Sequence, residues 1–198
     1  MLDRVVSSFM PTLRALQDAR SREAVAPGQP GLRVIAMPLT PGLPKGAPLP
    51  ATQQEADWLQ RHQFDPDPLV GAHGTREAVI DALSSHAWVH LACHGTQELE
   101  DPSAGRLWLH DGVLRIADLV GLRLAHARLA VLTACETARV GVRLVDEAIS
   151  LASALQLAGY QHVVATLWPI ADVTAGDLPA RAPALARRRG DLGADPSR

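Results

Sequence analysis

The sequence predicts an α/β domain with a mostly parallel sheet and helices on both faces. Three observations predict it. The runs "LRVIAMP" (32–38), "AWVHLAC" (87–93), "ARLAVLTAC" (127–135) and "HVVATLWPI" (162–170) are apolar nearly throughout, as strands buried on both faces are. Stretches of helical period alternate with them, the order that builds parallel sheets through crossover connections. The Asp-Gly of "RLWLHDGVLRI" (106–116), set between two alternating runs, marks an antiparallel hairpin.

Each element follows from local chemistry. After an extended "RVVSSFM", Pro11 fits the first turn of a helix with Leu13 and Leu16 on one face. "SREAVAPGQPG" is a loop, and the strand after it is stopped by Pro38. "LTPGLPKGAPLPA" holds four prolines and two glycines and must be irregular. "ATQQEADWLQRH" is helical, with Thr52 as cap and Glu55 three residues later as its capping-box partner. "GTREAVIDALSSH" is a helix capped by Thr75, with Ala78, Val79, Ala82 and Leu83 facing inward. "VDEAISLASALQLAG" (145–159) is a helix stopped by Gly159, and Pro169 closes the last strand. Beyond about residue 175, Pro179 and Pro183 leave no room for a regular helix, so 176–198 is expected to be a poorly structured tail on a 1–175 domain.

Composition bounds the function. The 198 residues suffice for one domain with a real core, and 47% apolar with 20% charged residues is ordinary for a globular protein. A net charge of −2 leaves no footprint for nucleic acid or an anionic membrane. No charged segment leads into an apolar leader, and no apolar run nears the roughly 18 residues of a membrane span. Two cysteines are too few for a disulfide framework, so the expected location is cytoplasmic.

Chemistry in a parallel sheet collects at the carboxyl ends of its strands. His94 and Cys135 both fall there, 41 residues apart, each just past the last apolar residue of its run. On neighbouring strands they would emerge at one sheet edge, where a histidine can lower a thiol pKa and later protonate a departing amine. The backbone N–H groups of Gly95 and Cys135 could face a developing oxyanion. The plain alternative is two strand-end residues without a shared role. Cys93 adjoins His94 covalently, but successive strand side chains diverge, so Cys93 belongs to the core. His86, His90 and His94 would share a helix face, yet on a strand they spread over about 27 Å, too far for one metal ion. No metal and no cofactor is therefore expected, and His90 reads as a satisfied buried histidine. Phosphate-binding glycine motifs and a G-x-S-x-G elbow are absent.

"WVHLACHG", "LAVLTACET" and "DEAISLASALQLAGYQHVVATLWPIAD" together resemble the CHAT domain, a bacterial relative of caspases and separases. "RVVSSFMPTLRAL", "LRVIAMPLTPG" and the hairpin before "IADL" are similar to its actinobacterial form, which extends the resemblance over about residues 1–172. It implies a caspase-like three-layer α/β/α sandwich and a cysteine endopeptidase. His94 would be the catalytic histidine and Cys135 the nucleophile, and Thr133 would line the pocket for the side chain before the scissile bond. Being neutral, Thr133 implies no charge preference. Asp146 and Glu147 are candidates for recognising a basic side chain, or simply acids complementing a helix dipole. Expected partners are a protein or peptide substrate and a regulatory partner protein, with no nucleic acid and no membrane. The chain departs from the family in having Ala138 where a glycine is usual and no aromatic residue after Trp168. The domain is thus expected to be C-terminally incomplete, which keeps a non-catalytic interaction module or inactive fragment as the alternative.

Overall fold

A computed structural model describes residues 10–21, 31–44, 46–96, 104–133 and 150–165. In chain order the elements are α1 (Leu13–Ser21), β1 (Leu32–Ala36), α2 (Pro50–Arg61), β2 (Leu69–Val70), α3 (Arg76–Ser85), β3 (Trp88–Ala92) and β4 (Gly95–Thr96). They continue with β5 (Arg106–Trp108), β6 (Val113–Arg115), α4 (Ile116–Val120), β7 (Leu129–Leu132), α5 (Leu151–Ala158) and β8 (His162–Val164). A five-stranded sheet runs β2-β1-β3-β7-β8 with every neighbouring pair parallel. A small antiparallel sheet, β4-β5-β6, sits beside it.

Strand alternation divides the core into two layers. Ile35, Val89, Leu91, Ala130 and Leu132 pack with Val79 and Leu83 of α3 and with Leu151 and Leu155 of α5. Leu107 and Leu114 of the hairpin and Leu119 of α4 join the same cluster. On the opposite face Val34, Ala36 and Ala92 pack against Ala56 and Leu59 of α2. The result is a mixed α/β architecture with a central, mostly parallel sheet flanked by helices, as the sequence predicts and as in a caspase-like sandwich.

Several local readings hold. The Thr75 side chain accepts from the Ala78 N–H at 3.3 Å and caps α3. Gly159 ends α5 at φ +135°, in the left-handed region that favours glycine. The Asp-Gly segment turns β5 into β6, with Trp108 opposite Val113. Asp111 of that turn accepts from the Arg76 N–H at 2.8 Å, so it also supports the start of α3.

Other readings are corrected. Leu13, on the helix face it shares with Leu16, is 80% exposed. Thr52 and Glu55 form no capping box. The helix begins earlier, with Pro50 in its first turn, which leaves Thr52 inside the helix, donating to the Leu49 carbonyl at 2.8 Å. Both side chains are buried, and Glu55 turns toward the sheet. The edge strand β2, the two-residue β4 and the short α4 lie where no element was expected. They are too short to carry a periodic signal. The helix read over 145–159 begins only at Leu151, where extended Ser150 caps it by accepting from the Ser153 N–H at 3.1 Å. The proposed tail lies outside the described residues.

Candidate active site

β3 and β7 are direct neighbours in the centre of the sheet. Trp88 pairs with Leu129, Val89 with Ala130, His90 with Val131 and Leu91 with Leu132. Every β7 residue in this ladder therefore carries a number 41 higher than its partner in β3. The Thr133 N–H continues the ladder, donating to the Leu91 carbonyl at 3.0 Å.

At the carboxyl end of β3 the chain changes sheets. Cys93 is buried in the core with Leu91 and Leu109, as its place in the alternation predicts. Immediately after it the His94 carbonyl accepts from the Trp108 N–H at 2.9 Å, and Gly95 pairs with Leu107 in the small sheet. This crossing holds the backbone of His94 between two sheets and leaves its half-buried ring at the edge.

Among the described residues the ring has one well-defined partner. His94 Nε2 lies 2.7 Å from the carbonyl oxygen of Ala47. A carbonyl only accepts, so Nε2–H is the donor, and in the neutral ring Nδ1 is left as the acceptor. Ala47 belongs to the irregular stretch between β1 and α2. Two hydrogen bonds fold this stretch over the sheet edge, Met37 N–H to the Ala92 carbonyl at 2.8 Å and Leu49 N–H to the Pro38 carbonyl at 2.9 Å. The sequence offers no sign of this orienting group, because it is a backbone atom of an unremarkable alanine.

Beneath this edge lies a buried polar cluster on the α2 face. His90 donates from Nε2 to Glu55 Oε2 at 3.0 Å, and the Thr133 hydroxyl lies 3.5 Å from the same oxygen. The exposures of Glu55, His90 and Thr133 are 3%, 3% and 6%. Glu55 Oε1 is buried and makes no hydrogen bond among the described residues. His90 is thus the satisfied buried histidine the sequence suggests, and Thr133 spends its hydroxyl inward. Glu55 was missed as a site residue, although a signal exists. It sits on the stripe Ala51, Thr52, Glu55, Ala56, Leu59 that α2 buries, a place where a lone carboxyl is expensive.

The third histidine of the series stands apart. Arg33 Nε donates to His86 Nε2 at 3.3 Å, and Ser85 Oγ lies 2.9 Å from Nδ1. Burial, reinforced by the Arg33 charge, lowers the His86 pKa below its ordinary value. His86, His90 and His94 therefore face three different partners: a guanidinium, a carboxyl and a carbonyl. Among the described residues no group of three His, Cys, Asp or Glu side chains is placed to hold a metal ion. No helix among them is long and apolar enough to cross a membrane. Cys135, Asp146 and Glu147 lie outside the described residues.

A search of curated proteins finds no match for the chain. The sequence model of the CHAT domain matches residues 1–182, most of the chain and well past the last strand described above. The chain belongs to the CHAT domain family, whose members are generally associated with caspase-like cysteine peptidases.

Proposed function

We propose that this chain is a cysteine endopeptidase that hydrolyses peptide bonds in a protein substrate through a dyad of Cys135 and His94. The observation that carries the reading is the register of the central ladder. Its constant offset of 41 residues equals the sequence separation between His94 and Cys135, which favours their meeting at the carboxyl ends of β3 and β7. In the sequence His94 keeps the parity of His90 and Ala92, and Cys135 that of Val131 and Thr133. The His94 tautomer supports the same chemistry, because the nitrogen left without hydrogen is the one able to accept a thiol proton.

In this reaction His94 Nδ1 takes the proton from the Cys135 thiol, and the sulfur attacks the scissile carbonyl carbon. The N–H groups of Gly95 and Cys135 stabilise the oxyanion. As the tetrahedral species collapses, the C–N bond breaks and the imidazolium returns its proton to the departing amine. A water then gives a proton to His94 and attacks the thioester, releasing the acid and restoring the thiol. Throughout, the Ala47 carbonyl holds the ring by its Nε2–H.

Alkylation tests the reading without a known substrate. Iodoacetamide should label Cys135 much faster than the buried Cys93, and His94→Ala should slow Cys135 to the rate of an ordinary thiol. Equal labelling of the two cysteines in the folded protein, or indifference to His94→Ala, would overturn it.

A further inference from the structure

We propose that Glu55 is a positioning residue for the dyad: its carboxyl fixes α2 against β3 and β7, the strands that lead in sequence to His94 and Cys135. The proposal rests on the cysteine–histidine reading above and extends it to a residue that touches neither the reacting atoms nor a substrate.

Glu55 is in the wrong place to serve stability alone. It occupies the buried stripe of α2, between Ala51 and Leu59, where a leucine would pack without desolvating a charge-capable group. Buried ionic or carboxyl–imidazole pairs are often no more stabilising than apolar replacements of the same volume. What such a pair supplies is direction. Oε2 receives His90 at 3.0 Å from β3 and faces the Thr133 hydroxyl at 3.5 Å from β7. These two are not ladder partners, since His90 pairs with Val131. One oxygen therefore ties the two central strands diagonally and ties both to α2.

The location of that tie matters. In sequence His90 lies four residues before His94, and Thr133 two residues before Cys135. The stretch that leads into α2 supplies the Ala47 carbonyl that orients His94. One structural unit, the 46–49 approach plus α2, thus grips this segment twice, through the ring of His90 in β3 and through the ring of His94 just past it. If α2 slid along the sheet, the Ala47 carbonyl would leave the His94 ring, and the Glu55 contact resists that slide.

The test uses the full chain and compares iodoacetamide labelling of Cys135 with that of Cys93, whose burial reports an intact core. Glu55→Leu, close in volume and without an acceptor, should slow Cys135 by about tenfold or more while Cys93 stays protected, because small misplacements of reacting groups are costly in rate. Glu55→Gln keeps an acceptor oxygen for His90 and should restore labelling to within about threefold of the unchanged chain. A purely structural role would move Cys93 protection instead and would show no such rescue. If Glu55→Leu does not fold, Thr133→Val decides, as it keeps the shape of the side chain and removes one contact to Oε2. Slower Cys135 labelling with Cys93 protected supports the proposal, and an unchanged rate overturns it. Failure of the wider reading looks different: there His94→Ala alone leaves Cys135 unaffected. If His94→Ala slows Cys135 but Glu55→Leu folds and labels like the unchanged chain, only the role of Glu55 falls.

Discussion

The imidazole of His94 donates from Nε2 to the backbone carbonyl of Ala47 at 2.7 Å. That single contact assigns the ring's tautomer, because no carbonyl can donate in return. In ¹⁵N spectra of histidine-labelled protein, neutral His94 should show a protonated Nε2 and a bare Nδ1. The opposite pattern would detach the ring from Ala47 and remove the orienting group from the proposed reaction. Pro48→Gly should cost about 0.4–1 kcal/mol of stability through the freer unfolded chain. It should also broaden or shift the His94 ring signals, since the Ala47 carbonyl would no longer be held in one direction.

Acid should weaken the fold at His86. Burial and the adjacent Arg33 lower its pKa, so the folded protein holds the ring neutral where the unfolded chain would protonate it. The sign follows from linkage. The contribution is complete above the ordinary histidine value of 6.5 and is lost as pH falls through the lowered folded value. Urea unfolding at stepped pH should therefore show stability declining below about pH 6.5. His86→Gln should flatten that part of the profile, and an equally steep decline in the variant would contradict the assignment.

How much of this was legible in the sequence depends on the range of the force involved. The apolar runs at 32–38 and 87–93 became β1 and β3 because burial on both faces leaves a continuous signal. The neighbouring of β3 and β7 is not written in either strand alone, and it is the ladder that shows the two strands side by side. Thr52 and Glu55 were misread because a capping box and a buried stripe share the same three-residue spacing. The earlier start at Pro50 decides between them. The Ala47 carbonyl carried no signal at all, since any residue there would present the same atom.

Asp118 should be worth more than an average surface carboxylate. Its Oδ2 accepts from the Arg115 N–H at 2.9 Å at the start of α4, and its Oδ1 pairs with Arg76 of α3 at 3.0 Å. Burial alone would raise its pKa, but the Arg115 N–H and the Arg76 guanidinium outweigh that and hold it below 3.8. Its contribution is thus intact above that value and fades only as pH falls below it, through the folded pKa. Asp118→Ala should cost about 1 kcal/mol by loss of the cap. Asp118→Asn retains an acceptor for Arg115 and should lose only the exposed ion pair, about 0.2–1 kcal/mol. Thermal unfolding of both variants at neutral pH measures the difference, and equal losses would mean that the cap contributes nothing.

Asp65 completes an edge that β2 is too short to cover. β2 pairs with β1 only from Ile35↔Leu69 onward, so the Val34 N–H has no strand partner on that side. Asp65, 1% exposed, fills the gap: Oδ2 accepts from Val34 N–H at 2.7 Å, Oδ1 accepts from Asp67 N–H at 3.1 Å, and Arg33 approaches at 3.6 Å. Asp65→Ala would leave a buried N–H without a partner and remove two turn contacts, so a loss of about 1–3 kcal/mol is expected. Asp65→Asn can keep its amide oxygen on Val34 while placing an NH₂ group toward Asp67 and Arg33, where only acceptors fit. It should therefore fall between the unchanged chain and the alanine variant. Urea midpoints with unchanged slopes would rank the three. Should asparagine prove as damaging as alanine, the Val34 bond cannot be what Asp65 is there to make, and the Arg33 contact would carry the effect instead.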